Sequence, residues 1–133
     1  MKKLILFILI SSSLGGCVFP LAPPCEDTIK GETRSPNGKY IATVFERNCG
    51  ATAPFVTYVN LRASSAKFNS DEGIVLVVKG QPKIHLSWKD STSLQIECPE
   101  CNSSEIYEQQ KSWNGVQIFI NSATVPQGRH SGL

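Results

Sequence analysis

The stretch Ser35–Arg62, SPNGKYIATVFERNCGATAPFVTYVNLR, decides the fold class of this chain. Its first four residues place serine first, proline second and glycine fourth, the signature of a type I turn. In the following KYIATVFER, Ile41 and Phe45 fall on one face of an extended segment, and Ala42 and Val44 fall on the other. This pattern predicts a strand that is covered on both sides. NCGATAP then breaks the pattern, and FVTYVNLR predicts a second strand.

The same alternation in steps of two continues outward from this stretch. IVLVVK (Ile74–Lys79) is a continuous apolar run, which favours a central strand buried on both faces. KIHLSW, SLQIEC and VQIFI also have strand periodicity, and Asn114-Gly115 before the last of them is a strong hairpin signal. We therefore predict an all-β fold of about seven strands, a small antiparallel meander sandwich or open barrel, with no helix.

The SPNGKYIATVFERNCGAT portion resembles a stretch found in a family of small bacterial proteins, many of which are lipoproteins. That resemblance covers Ser35–Arg62 and implies no particular activity. SPNGKYIA and LSWKDSTSLQI are also similar to propeller-blade strands. A propeller needs several copies of its blade, and this chain has one, so the likeness implies meander geometry alone.

The N-terminus has the pattern of a bacterial export signal. Lys2 and Lys3 precede an apolar run from Leu4 to Ile10, which is too short for the roughly 20 residues that span a bilayer. Leu14-Gly15-Gly16-Cys17 resembles a lipobox, and the resemblance implies cleavage before Cys17 and attachment of lipid to its thiol and new amino terminus. Several acyl chains anchor a protein stably to a membrane.

The segment after Cys17 is interpreted as a tether. Val18 stands where an aspartate would favour retention in an inner membrane, so we expect the outer membrane, facing the periplasm. VFPLAPP is rich in proline, which favours an extended conformation of about 3.1 Å per residue. The expected organisation is a lipoprotein signal peptide (1–16), a lipidated tether (17–34), a β domain (35–120) and a flexible tail (121–133).

Charge excludes a general polyanion binder. The chain has 13 basic and 11 acidic residues, and removal of Lys2 and Lys3 leaves 11 of each. A formally neutral chain of 117 residues (133 minus 16) is not typical of proteins that bind nucleic acid through a basic face. The lipid bilayer is the expected partner through the acyl anchor, with no cofactor other than the covalent lipid on Cys17.

Four cysteines remain after processing: Cys25, Cys49, Cys98 and Cys101. An even number in an exported protein indicates disulfides, and three connectivities are possible. We favour Cys25–Cys49, which would fasten the tether to the first strands, and Cys98–Cys101, which would close a local turn.

The catalytic alternatives are weaker than structural readings of the same residues. Cys98-Pro99-Glu100-Cys101 has redox-motif spacing, but strands flank it where a thiol-exchange site needs a helix N-terminus. Zinc binding by these cysteines with Cys25, Cys49 or His85 lacks a second C-x-x-C pair. A Cys49–His85 nucleophile–base pair lacks any signal that brings the two together. Four glutamates (Glu97, Glu100, Glu105 and Glu108) are predicted to form a solvated surface.

We therefore expect a non-enzymatic envelope lipoprotein that binds a partner or supports envelope structure. Exposed strand edges and loops, for instance Ala63–Gly73 or Cys98–Ser104, are the expected contact surfaces. The alternative is a periplasmic thiol–disulfide exchange protein that uses Cys98 and Cys101.

Overall fold

The computed structural model describes residues 15–16 and 24–123, and these fold into nine strands and one 3-10 turn at Ser103–Glu105. The strands are β1 (Glu26–Arg34), β2 (Tyr40–Asn48), β3 (Val56–Ala63), β4 (Ile74–Lys79), β5 (His85–Asp90), β6 (Ser93–Cys98), β7 (Ile106–Gln109), β8 (Ser112–Trp113) and β9 (Val116–Ser122). Among the described residues, no helix has the length and apolarity needed to cross a membrane.

The strands form two sheets, so the predicted all-β class is confirmed, with the sandwich rather than the open barrel as its architecture. Sheet A has the order β1-β2-β3-β4-β7, and sheet B has the order β5-β6-β9-β8. Neither closes into a barrel, since each sheet ends in two different edge strands. The expected count of about seven strands misses two of the nine, because β1 is polar on both faces and β8 has only two residues.

One pairing departs from the antiparallel meander that the sequence predicts. β6 and β9 pair in parallel, from Ser93↔Gln117 to Cys98↔Ser122. The reason lies in the connection, because the chain leaves β6, returns through β7 in sheet A and then re-enters sheet B. β9 therefore runs in the same direction as β6. Every other ladder among the described strands is antiparallel.

The expected domain boundaries need correction at both ends. β1 occupies residues 26–34, which the sequence assigned to the tether, and it pairs with β2 from Glu26↔Asn48 to Arg34↔Ile41. β9 extends to Ser122, two residues into the predicted tail. Residues 124–133 of the predicted tail, most of the signal peptide, and residues 17–23 with Cys17 lie outside the described residues.

The core fills the space between the two sheets. Ala42, Val44, Val59 and Leu61 face it from β2 and β3, as the alternation predicts. Three residues of β4 and the inward residues of β6 and β9 complete it: Val75, Leu76, Val78, Leu94, Ile96, Val116 and Ile118. Ile84, Leu86 and Trp88 pack against its margin, again as predicted.

The two ends of the sandwich differ in what they carry. Asn114 and Gly115 form the predicted two-residue hairpin turn, with φ of 45° and 82°, between the paired residues Trp113 and Val116. Trp113 meets Tyr40, the first residue of β2, edge-to-face at 5.8 Å. The turn between β8 and β9 therefore lies at the same end of the sandwich as the turn between β1 and β2, and we call this end the turn end. The start of β1, the end of β6 and the end of β9 lie at the other end, together with all four disulfide-bonded cysteines; we call it the cysteine end.

A loop covers the outer face of sheet A. The ring of Phe45 is fully buried there, stacked on Tyr58 at 5.0 Å and edge-on to Phe68 of the loop at 5.3 Å. Asn60 Nδ2 donates to the Asn69 and Glu72 carbonyl oxygens at 3.0 and 3.2 Å, which fastens residues 64–73 to the sheet. The predicted contact loop Ala63–Gly73 is therefore part of the folded body, because its aromatic residue completes a second apolar cluster.

Candidate functional site

The most distinctive surface is the edge at which β7 and β9 lie side by side in different sheets. β8 pairs with β9 only at Ser112↔Gln117 and Trp113↔Val116. One further bond, from Ile118 N to Lys111 O at 2.9 Å, continues that line. The preceding residue, Gln110, instead donates its N–H to Val75 O in sheet A at 2.9 Å. Beyond Ile118, no described strand pairs with this side of β9.

The direction of the backbone groups follows from these bonds. The Gln117 N–H donates to Thr92 O, toward β6, whereas the Ile118 N–H donates to the opposite side. Because successive residues of a strand direct their N–H and C=O groups to alternate sides, those of Ile120 and Ser122 point away from β6. The same alternation in β7, fixed by the bond from Gln110 to Val75, directs the backbone of Gln109 away from β4.

These free edges flank a groove. Its main part has a volume of about 500 Å³ and is lined by Gln109, Gln110, Lys111, Ser112 and the β9 residues from Gln117 to Asn121. A second part of about 320 Å³ lies beside Ser122 and is lined by Ser103 and the β7 residues, including Glu108. We call the two parts together the β7–β9 groove. It runs from Lys111 at the turn end to Glu108 and Ser122 at the cysteine end.

Side chains around the groove are uncharged along β9. The sequence VQIFINS has no ionisable residue, and Phe119 is 42% exposed. Lys89 Nζ lies 4.7 Å from the centre of the Phe119 ring. Tyr107 on β7 is also exposed, at 57%. Charged residues and bulges normally protect an edge strand from unwanted pairing, and β9 has neither on its free side.

A second cavity, of about 580 Å³, lies on the opposite edge between β1 and the segment before β5. Its central carboxylate already has partners within the chain. Gln81 Nε2 donates to Glu46 Oε2 at 3.0 Å, and Lys30 Nζ lies 3.8 Å from the same oxygen. Lys30 compensates the charge of this carboxylate, whereas the partner of Glu108 in the groove is the uncharged Gln110, so this cavity is a weaker candidate than the β7–β9 groove.

The cysteines form the two favoured disulfides, Cys25–Cys49 and Cys98–Cys101, with Cα–Cα distances of 4.1 and 5.3 Å. Cys98 and Cys101 are fully buried and belong to the core. Thiol–disulfide exchange needs a sulfur that an attacking thiolate can reach, so this burial weighs against the redox alternative. It also explains why Cys98–Ser104 is not a free loop, since Cys101 O accepts a bond from Ala123 N at 3.1 Å.

Among the described residues, the other candidate catalytic and metal-binding side chains do not lie together. Cys49 is bonded to Cys25, so it has no thiol to pair with His85 as a nucleophile. Of the four glutamates predicted to form a solvated surface, Glu97, Glu100 and Glu108 are exposed, whereas Glu105 is half-buried at the end of the 3-10 turn. Within residues 15–16 and 24–123, no three His, Cys, Asp or Glu side chains are placed to hold a metal ion.

A bidentate charged pair stabilises the outer face of sheet A. Arg47 Nε and Nη2 donate to the two carboxylate oxygens of Asp27 at 2.7 and 2.9 Å. This bidentate bond holds the pKa of Asp27 below its usual range, and it raises the pKa of Arg47. The Arg47 guanidinium also lies 4.9 Å from the Tyr58 ring centre. The pair therefore joins β1 to the aromatic cluster and is structural.

Comparison of the chain with protein-family models, curated proteins and solved structures gives no match. The groove was not predicted from the sequence. EIYEQQKSW has strand character, but its polar centre, Gln109-Gln110-Lys111, is the point where the chain passes from sheet A to sheet B. That polar run is the one available signal.

Proposed function

We propose that this chain is a lipid-anchored, non-enzymatic binding module of the bacterial envelope, whose partner occupies the β7–β9 groove. One observation supports this proposal above the others: beyond Ile118, the side of β9 that faces away from β6 is uncharged and has no partner strand among the described residues, and an exposed aromatic residue lies beside it. Edges of this kind pair readily with another chain. A binding role gives such an edge a use.

The anchor part of the proposal rests on the lipobox-like sequence before Cys17. The start of β1 and the Cys25–Cys49 disulfide lie at the cysteine end, so an anchored Cys17 is joined to that end by a short proline-rich segment. The groove would then extend from the membrane-proximal end toward the turn end, accessible along its side.

Site-specific photocrosslinking tests the binding part. p-Benzoylphenylalanine is placed at Phe119 in the full chain, in its native envelope, and at Ile29 as the matched control. Ile29 is a similarly exposed apolar residue, at 47%, on the opposite edge strand. We expect a discrete adduct from position 119 and none from position 29. No adduct at 119, or the same adduct from both positions, would contradict the proposal.

Membrane fractionation tests the anchor. Cys17→Ser removes the thiol that the lipid requires, so we expect the protein to move from the membrane fraction to the soluble fraction. Intact mass of the native protein should show a chain that begins at a lipid-modified Cys17. Retention of Met1, or an unmodified sulfur at position 17, would refute lipid anchoring and leave the groove proposal to the crosslinking result.

A further inference from the structure

We infer that the partner binds in the β7–β9 groove as an added β-strand, antiparallel to β9, with a basic residue near its N-terminal end and an acidic residue near its C-terminal end. This inference rests on the proposed function and specifies the chemistry of the partner.

The backbone geometry selects an extended polypeptide. Ile120 and Ser122 direct N–H and C=O groups into the groove at the two-residue repeat of a strand. An extended chain is the ligand whose donors and acceptors alternate with the same repeat, and strand addition to an exposed edge is an established mode of peptide recognition.

The position of β8 selects the direction. β8 occupies the turn-end part of this side of β9 and pairs with it in antiparallel register. Its line ends at the bond between Lys111 and Ile118. A strand added beside Ile120 and Ser122 continues that line, and antiparallel pairing is somewhat the more stable arrangement per residue. Such a strand runs from the cysteine end to the turn end.

Charge distinguishes the two ends of the added strand. Lys111 lines the groove at the turn end and Glu108 lines it beside Ser122. Neither is in an ion pair within the described part of the chain; Glu108 Oε1 accepts a hydrogen bond from the uncharged Gln110 Nε2 at 3.1 Å, which leaves its charge uncompensated. Because the strand begins near Glu108 and ends near Lys111, a basic residue at its start and an acidic residue at its end complement the groove. The reversed order places like charges together at both ends.

Two blocked hexapeptides test this assignment: Lys-Thr-Val-Thr-Val-Asp and its reversed sequence, Asp-Val-Thr-Val-Thr-Lys. Both have the same composition and strand propensity, so they differ only in direction. Binding to the processed full chain in detergent micelles is measured by fluorescence anisotropy. We expect the first peptide to bind at least about fivefold more tightly, the factor that corresponds to one favourable charge-assisted contact.

A pair of variants at Ser122 tests whether main-chain bonds carry the binding. Ser122→Pro removes an N–H that faces the groove, while the bonds between β9 and β6 remain, and edge positions tolerate proline. We expect it to weaken the first peptide about fivefold, the equivalent of one hydrogen bond. Ser122→Ala keeps the N–H, so we expect it to bind the first peptide more tightly than Ser122→Pro does. Circular dichroism and thermal unfolding establish that both variants are folded.

Each other result overturns the inference. Equal binding of the two peptides removes the direction, and equal binding to Ser122→Pro and Ser122→Ala removes the main-chain bonds. If neither peptide binds while position 119 still gives its adduct, the groove binds something other than a strand and the proposed function survives. If that adduct is a second copy of this chain, or an internal crosslink to its own C-terminal residues, the separate partner is excluded.

Discussion

The two edges of the sandwich are built in opposite ways. At one edge, β1 carries five charged residues in nine (EDTIKGETR) and a register shift between Ile29 and Gly31. The indole Nε1 of Trp88 on β5 donates to Thr33 O of β1 at 3.3 Å and joins the two sheets. At the other edge, β9 has no charged residue, and the β7–β9 groove separates it from sheet A.

Among the described strands, the β1–β5 edge has the features that prevent pairing with another chain, and the free side of β9 lacks them. Charges, a bulge, a disulfide and a bond between sheets converge on the β1–β5 edge, although β1 contributes little to the core. Natural sheets use the same features to prevent unwanted pairing. The described part of the chain has neither charges nor a register shift on the free side of β9, which is why we propose this side as the position of an added strand.

The largest effect is expected from removing the disulfide that fastens β1. Cys25 and Cys49 are 24 residues apart, and a loop of that size corresponds to about 3.5 kcal/mol in the chain-entropy estimate. We expect the double variant Cys25→Ser, Cys49→Ser to lose about that much free energy of unfolding, measured by urea denaturation. Cys17→Ser, which belongs to neither disulfide, is the control and should unfold as the wild type does. A loss below about 1 kcal/mol would mean that the bridge contributes little to holding β1.

An intermediate effect is expected from the bond that joins the sheets at the β1–β5 edge. Trp88→Phe removes the indole donor to Thr33 O, and we expect a loss of about 1–2 kcal/mol from the bond and its packing. Trp113→Phe is the matched control near the groove, because Trp113 is also half-buried and its contact with Tyr40 is aromatic. We expect it to lose less than half as much. Equal losses would remove the distinction between the edges.

A smaller effect follows from the Asp27–Arg47 pair, which joins β1 to β2. Because the hydrogen bond from Arg47 lowers the pKa of Asp27 from its usual 3.8, its stabilisation is complete above that value. It is lost as the pH falls through the lowered pKa of the folded state. We expect the wild type to lose about 1 kcal/mol more than Asp27→Asn between pH 5 and pH 2, since the pair is partly exposed. Urea denaturation at several pH values measures this, and parallel curves would exclude the contribution.

The sequence predicts the faces of strands better than their neighbours. Alternation identified the inward residues Val44, Val59 and Leu94 because burial repeats every two residues in any sheet. The alternation did not identify β1, because this edge strand is rich in charged residues and has no apolar face. It also failed at Gln110, where the chain changes sheets, since a period of two is the same whichever strand lies alongside.

The β7–β9 groove could not be predicted from the sequence for the same physical reason. Whether an edge of β9 is paired depends on which strands lie beside it, and no residue in VQIFINS indicates its neighbours. The disulfides were predictable because Cys25, Cys49, Cys98 and Cys101 allow three pairings, and one of these closes a local turn between Cys98 and Cys101. The burial of Cys98 and Cys101 was not, since it depends on the packing of the segment after β6 against both sheets.

The smallest effect on stability should accompany the largest effect on binding. Phe119→Ser removes a side chain that is 42% exposed and whose main partner is the Lys89 ammonium, so we expect a loss of at most about 1 kcal/mol. With the photocrosslinker moved to Gln117, an exposed residue that also lines the groove, the same substitution should abolish the adduct.

Ile29→Ser makes a comparable change on the protected edge and should leave that adduct intact. The contrast matters because replacing a residue that serves folding lowers the stability of the protein. Replacing a residue that contacts a partner lowers the binding of that partner first. If Phe119→Ser costs several kcal/mol and Ile29→Ser does not, Phe119 serves the fold, and the unprotected edge of β9 needs another explanation.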